Sequence, residues 1–104
     1  MARFDVHVNP ISADRNDFPY VLEIQSDLLY RFAERVCVPL AQLGAFPGMT
    51  ERFNPSVSVF GQSLRLHPLG ISVFLAQELR QPTTSAQASA MQIDTALDML
   101  LRGF

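Results

Sequence analysis

The feature that most restricts the fold is that helical periodicity is confined to the C-terminal end of the chain. The apolar residues with helical spacing there are Ala86, Ala90, Ile93, Leu97 and Leu100. Thr84 and Gln87 have the spacing of a capping box after Pro82, which predicts where this helix begins. Upstream, the apolar stretches are short and are interrupted by proline, glycine and asparagine. The sequence therefore predicts a mainly β fold with one C-terminal α-helix.

Short runs of β-forming residues precede the helix. Residues 4–8 alternate between apolar and polar side chains, which predicts a strand with Phe4, Val6 and Val8 on one face. Residues 20–24 are the predicted antiparallel partner of this strand. Residues 35–40 form a third strand, in which proline at position 39 predicts an edge or a bulge. Residues 57–59 and 64–66 flank a predicted tight turn at Gly61-Gln62. A long connection covers residues 41–54, and residues 71–75 are apolar enough for a central strand.

Composition limits the class of protein. A chain of 104 residues with 48% hydrophobic and 17% charged residues predicts a single domain over residues 1–104 with a packed core. The net charge of −2 and the absence of a basic run argue against direct nucleic-acid binding. A single cysteine fits a reducing compartment. The N-terminus lacks a signal peptide's apolar segment and no membrane-length apolar run occurs, so a cytoplasmic location is expected.

The end of the helix is the first candidate for a functional site. Gly103 is predicted to close the helix in the left-handed conformation, and Arg102 complements the helix dipole. Phe104 then follows as an apolar side chain beside a carboxylate. Two interpretations stay open, because Phe104 either folds back onto the core or serves as a partner-binding anchor.

A second stripe on the helix, formed by Ala88, Met91, Thr95 and Met99, lies opposite the apolar face. Isolated exposed methionines are ordinary. Methionine is nevertheless common on adaptable binding surfaces. We therefore favour a dimer or partner contact, with Met91, Thr95 and Met99 as candidate interface residues.

Catalytic and metal-binding patterns are weak in this chain. His7 and His67 lie in separate strands, each without a second ligand at metal-site spacing, and are expected to be surface or cross-strand residues. Cys37 is flanked by valines and is expected to be buried and inert. One catalytic alternative remains, an endoribonuclease in which a histidine acts with Arg35 or Arg65.

Several segments together resemble the CcdB family of toxins from bacterial toxin–antitoxin modules. The most specific is the hydrophobic-Gln-Ser-Asp-aliphatic-aliphatic stretch at residues 24–29, followed by an aliphatic-Pro-Leu strand at residues 38–40. The Asn54-Pro55-Ser56-Val57 entry and the helix with its Gly-then-apolar end follow in the same order. The resemblance covers most of the chain and is weakest over residues 9–18 and 41–52.

The resemblance implies a small twisted antiparallel sheet related to SH3-like barrels, with a three-stranded wing and a C-terminal helix. It also implies a symmetric homodimer that performs no catalysis. No cofactor or metal is expected, since the residues of this chain show no metal-site spacing. Such proteins bind the A subunit of DNA gyrase and trap the gyrase–DNA cleavage complex as topoisomerase poisons. The gyrase-contacting positions of the family fall on Leu28, Leu29, Asp98, Leu101, Arg102, Gly103 and Phe104.

The resemblance further implies a cognate CcdA-like antitoxin that neutralises the toxin in a plasmid-maintenance module. Operator DNA is then bound only by the toxin–antitoxin complex, as a transcription repressor. One position departs from the family, because Arg102 stands where a tryptophan is usual, and Phe104 replaces an aliphatic residue. Loss of that aromatic face predicts weaker gyrase binding or a different partner surface. A non-toxic relative that still binds an antitoxin is a further alternative.

Overall fold

The computed structural model describes residues 2–103, and Phe104, a predicted gyrase contact, lies outside them. Within residues 2–103, seven antiparallel strands precede one α-helix. The strands are β1 (Asp5–Val8), β2 (Tyr20–Glu23), β3 (Glu34–Ala41), β4 (Ser56–Val59), β5 (Gln62–Leu66), β6 (Ser72–Leu75) and β7 (Thr84–Ser85), and the helix is α1 (Ala90–Arg102). The mainly β fold with a C-terminal helix is confirmed.

The sheet curls into a nearly closed barrel. Its strand order is β4-β5-β3-β2-β1-β7, while β6 pairs with the first half of β3. Strands β4, β5 and the end of β3 form the three-stranded wing. One core cluster joins the inner side of these strands to the buried face of α1, where Ile93, Ala96 and Leu97 pack. No helix in residues 2–103 has the length and hydropathy needed to cross a membrane.

The other face of the sheet carries a second, smaller core. Its buried members are Val21, Cys37, Phe74 and Leu79, which come from β2, β3, β6 and the segment after β6. Both faces of β1 are therefore covered near its middle, where Val6 and His7 are 0% and 1% exposed. The prediction that Val8 shares a buried face with Val6 is wrong, because Val8 ends the strand and is exposed.

Two predictions about strand position are corrected. The stretch at residues 71–75 is not central, because β6 pairs with β3 alone in the described sheet and leaves Val73 exposed. Pro39 lies within a central strand rather than at an edge. Its carbonyl accepts the His67 amide on the β5 side, at the point where β3 changes partner from β6 to β5. The missing proline N–H therefore faces a gap in the ladder.

Two local boundaries also differ from expectation. The β4–β5 hairpin is confirmed, but its turn residues are Phe60 and Gly61, with φ of 51° and 78°. Thr84 does not cap the helix, because it pairs with Val6 in β7. Backbone pairing with β1 continues to Ala86, whose amide donates to the Phe4 carbonyl. The α-helix therefore begins only at Ala90.

Candidate functional site

An exposed apolar loop follows β2. We define the apolar loop as residues 28–32, in which Leu28 is 89% and Tyr30 63% exposed. A short 3-10 turn over Asp27–Leu29 shapes its beginning, and the Ser26 hydroxyl accepts the Leu28 amide at 3.2 Å. Large apolar side chains on a loop cost free energy of solvation unless another surface covers them. This loop is therefore a candidate binding surface.

Arg35 and Gln25 hold the apolar loop from beneath. The buried Arg35 guanidinium donates to the carbonyls of Tyr30, at 2.7 Å, and Phe32. The Gln25 amide donates to the Glu34 carbonyl at 3.1 Å and accepts the Val36 amide at 2.9 Å. Because charged hydrogen bonds to backbone carbonyls are strong, the loop has a defined shape despite its exposure.

Arg3 connects the apolar loop to the helix. Its backbone amide donates to the Asp27 carboxylate at 2.8 Å, and its Nε donates to the Ile24 carbonyl at 2.9 Å. Its Nη2 lies 2.6 Å from Oδ1 of Asp94 on α1. The backbone and the side chain of Arg3 together thus fix the start of the loop relative to the helix.

The helix end presents a second exposed apolar residue. Leu101 is 74% exposed, and the exposed Arg102 lies 3.8 Å from the Asp98 carboxylate. Gly103 has φ of 84°, and its amide donates to the carbonyls of Asp98 and Met99 at 3.1 and 3.2 Å. The predicted glycine stop is therefore confirmed, and it closes the helix instead of letting its last turn fray.

A charged cluster lies buried on the opposite face of the sheet from α1. Glu23 Oε2 lies 3.8 Å from His7 Nε2, and Glu23 Oε1 lies 3.8 Å from Arg35 Nε. Burial alone would lower the pKa of His7, but Glu23, the Arg80 carbonyl and Asp5 together raise it above its usual value. His7 faces the neighbouring strand as expected, and β2 brings Glu23 beside it, a neighbour that spacing along the sequence could not reveal.

The comparisons with known proteins agree with this architecture. The family model described as CcdB protein matches residues 3–103. The chain belongs to the CcdB family. A solved structure titled "Endoribonuclease in complex with its cognate antitoxin from Mycobacterial species" has a TM-score of 0.72, with 15% identity over 97% of this chain and 94% of that chain. At that identity the likeness shows a shared fold. No curated protein sequence matches the chain.

The gyrase-contacting positions that the resemblance to the CcdB family implies fall into two groups in this structure. Leu28 and Leu29 belong to the apolar loop, and Asp98, Leu101 and Arg102 lie along the last turns of α1. Asp94, which binds Arg3, precedes Leu101 by seven residues, or about 10 Å of helix. Arg3, which positions the first group, was missed at the sequence level because its partners are distant in the chain, and Arg35 was named there only as a possible catalytic arginine.

The methionine stripe of this CcdB family chain is largely uncovered. Met91 is 82% exposed, Thr95 is exposed and Met99 is half-buried, as expected for a surface outside the core of one chain. The stripe follows α1 for two turns beside Asp94 and Asp98. It therefore lies next to the surface formed by the helix end.

His67, the second histidine, lies in a different part of the molecule from His7. His67 contacts the Phe46 ring at a centroid distance of 4.1 Å, with the two rings tilted by 35°, and borders a cavity of about 200 Å³ that also touches Cys37 and Phe74. Burial lowers the pKa of His67 and raises the pKa of Cys37 to about 12, and the predicted burial of Cys37 is confirmed. The residues that line this cavity include no arginine or lysine, so it offers no permanently charged side chain to bind a phosphate.

Proposed function

We propose that this chain is the toxin of a type II toxin–antitoxin module, which binds the A subunit of DNA gyrase and traps the gyrase–DNA cleavage complex. Membership in the CcdB family supports the toxin class. The observation that most supports the gyrase step is the pairing of two exposed apolar groups, Leu28 in the apolar loop and Leu101 at the helix end. Arg3 holds the two supporting elements together.

The proposed action is binding without chemistry. Aliphatic side chains that protrude from a rigid support are suited to entering a pocket of a large partner, since little ordering entropy is lost on binding. Gly103 has open space around its α-carbon, so a partner can approach the backbone closely there. A cognate antitoxin, for which a disordered acidic segment is the expected form, would cover the same surfaces and neutralise the toxin.

An endoribonuclease is the second candidate, because the structure brings His7 near Arg35 through Glu23. The fold neighbour's title also names an endoribonuclease. However, His7, Glu23 and Arg35 are 1%, 2% and 9% exposed, so an RNA hydroxyl cannot come within proton-transfer distance of the imidazole. Among residues 2–103, no hydrogen bond or ion pair joins His67 to Arg65, which instead binds Glu51 at 2.7 Å. The geometry therefore favours the gyrase proposal.

Gyrase poisoning in vitro tests the proposal. We expect the wild-type protein to convert supercoiled plasmid into linear DNA in the presence of gyrase and ATP after detergent and protease treatment. Leu28→Asp and Leu101→Asp should each lower the yield of linear DNA at least about tenfold, because a buried, unpaired carboxylate would replace an apolar contact. The readout is the linear fraction on an agarose gel across a titration of toxin.

Leu43→Asp is the matched control, because Leu43 is similarly exposed, at 73%, but lies in the long connection after β3. It should poison gyrase as well as the wild type does. Absence of any cleavage complex at high protein excess would refute the gyrase proposal. RNA degradation by the purified protein, lost in Arg35→Ala but kept in Leu101→Asp, would instead establish the endoribonuclease.

A further inference from the structure

Three ligand-type side chains converge on the face of the sheet opposite α1. Asp5 and His7 lie two residues apart on β1 and share one face, while Glu23 ends the neighbouring strand β2. One oxygen or nitrogen atom from each of the three lies within 4.8 Å of the others. His7 and Glu23 are fully buried, and Asp5 is half-buried at the border of the cluster.

The hydrogen bond of His7 determines which ring nitrogen is available. Nδ1 lies 2.9 Å from the Arg80 carbonyl, which can only accept, so Nδ1 carries the proton. When the ring is deprotonated, as metal binding requires, the lone pair of Nε2 points toward Glu23 Oε2, 3.8 Å away. That distance is too long for a hydrogen bond. In the described part of the chain, neither His7 Nε2 nor Glu23 Oε1 has a hydrogen-bond partner.

This arrangement matches a histidine prepared to bind a metal. A metal-ligating histidine usually donates its other ring N–H to a backbone carbonyl or carboxylate, which fixes the tautomer. In tetrahedral Zn²⁺ sites with nitrogen and oxygen ligands, neighbouring ligand atoms are about 3.4 Å apart. The 3.8 Å gap between His7 and Glu23 therefore needs only a small contraction around an ion.

The charges of the cluster also favour a cation. Asp5 and Glu23 bring one carboxylate oxygen each to within 4.8 Å of the other, and two like charges at that separation attract a cation. Arg35 approaches only the Oε1 side of Glu23. Oδ2 of Asp5 accepts a hydrogen bond from the Ala2 amide at 2.7 Å, which leaves Oδ1 of Asp5 available to an ion.

We propose that Asp5, His7 and Glu23 bind a divalent transition-metal ion of the Zn²⁺ class. Imidazole nitrogen with carboxylate oxygen suits Zn²⁺ better than Mg²⁺, which prefers oxygen ligands alone. The ion joins β1 to β2 and, through the His7–Arg80 hydrogen bond, to the segment after β6. Its role is structural, and it does not depend on whether the protein poisons gyrase.

Titration calorimetry of the metal-free full-length protein with ZnCl₂, at about pH 8 so that protons compete less for imidazole, tests this site. We expect one Zn²⁺ per chain at micromolar affinity or tighter, with no heat from MgCl₂. Asp5→Asn and His7→Gln should each lower the affinity more than about tenfold. Co²⁺ substitution should give visible d–d absorption in the wild type that is lost in both variants.

His67→Gln is the matched control, because it removes the other histidine of the chain and should bind Zn²⁺ like the wild type. If His7→Gln fails to fold, Asp5→Asn still tests the site, since Asp5 is only half-buried and its loss leaves the core intact. Absence of Zn²⁺ binding by the wild type, or an unchanged Zn²⁺ affinity in Asp5→Asn, would overturn the proposal.

Discussion

Arg3 links three parts of the molecule that are far apart in the chain. Its backbone and side chain together bind Asp27, Ile24 and Asp94, and its guanidinium lies 4.5 Å from the Phe4 ring centre. The Arg3–Asp94 pair is half-exposed, so its contribution to the free energy of unfolding is about 1 kcal/mol or less. The importance of Arg3 is therefore geometric, because it sets where the apolar loop sits beside α1.

We predict that Arg3→Ala loosens the apolar loop while leaving the fold intact. Loss of the side-chain contacts should make the amides of Leu28 and Leu29 exchange with D₂O about tenfold faster, a ratio that corresponds to about 1.4 kcal/mol. The measurement is hydrogen exchange followed by mass spectrometry. Arg52→Ala, at an exposed arginine, serves as the control and should leave these amides unchanged. Equal exchange in Arg3→Ala and the wild type would contradict the linking role.

Helix α1 serves the core and the surface at once. Its inner face packs Ile93, Ala96 and Leu97 against the sheet, and its last turn carries Leu101 and Arg102 into solvent. The end of the helix keeps its shape because Gly103 satisfies two carbonyls in a left-handed conformation. Local backbone geometry at this element thus determines how Leu101 is presented to a partner.

Gly103→Ala should destabilise this helix end. A Cβ at this position would meet no atom within 4 Å, so the cost comes only from the φ of +84°. For an L-residue other than glycine that conformation costs about 1 kcal/mol, which lowers Tm by about 4–8 °C in a domain of this size. Thermal unfolding followed by circular dichroism measures the effect. Gly103→Asn, which tolerates the left-handed region better, should cost less, and an equal loss in both variants would contradict this account.

At the scale of the whole molecule, one chain leaves much apolar surface exposed. Outside the apolar loop, examples are the methionine stripe on α1 and the outer side of β6, where Val73 is 61% exposed. We propose that the chain forms a symmetric homodimer through the stripe of Met91, Thr95 and Met99. A two-fold axis there would present the helix end twice to a large partner.

Met91→Glu is expected to break this dimer, because the two-fold axis would place two carboxylates close together in a buried contact. Sedimentation velocity should show a dimer for the wild type and a monomer for the variant at micromolar concentration. Val73→Glu, on the exposed side of β6, is the matched control and should remain dimeric. If Val73→Glu dissociates while Met91→Glu does not, the interface lies on β6 instead.

Much of the local structure could be predicted from the sequence. The β1–β2 hairpin, the β4–β5 hairpin, the long connection and the glycine-terminated helix all depend on residues close together in the chain, whose periodicity and turn preferences are readable directly. The exposed Leu28-Leu29 pair was also evident, because aliphatic residues follow a polar turn there. Element boundaries were predicted wrongly where pairing with a distant strand competed with the local pattern. Thr84, for example, pairs with Val6 of β1 instead of capping the helix.

The contacts that position the candidate site depend on the tertiary structure alone. Arg3 reaches Asp94 on α1, and His7 meets Glu23 only because the β1–β2 register sets them on one face of the sheet. Such pairs are separated along the chain by whole elements, so no periodicity or spacing reveals them. The sequence by itself determined most of the elements and the exposure of the Leu28-Leu29 pair, but not β7. Sheet closure decided which charged side chains meet in the interior, since only packing brings distant strands into register.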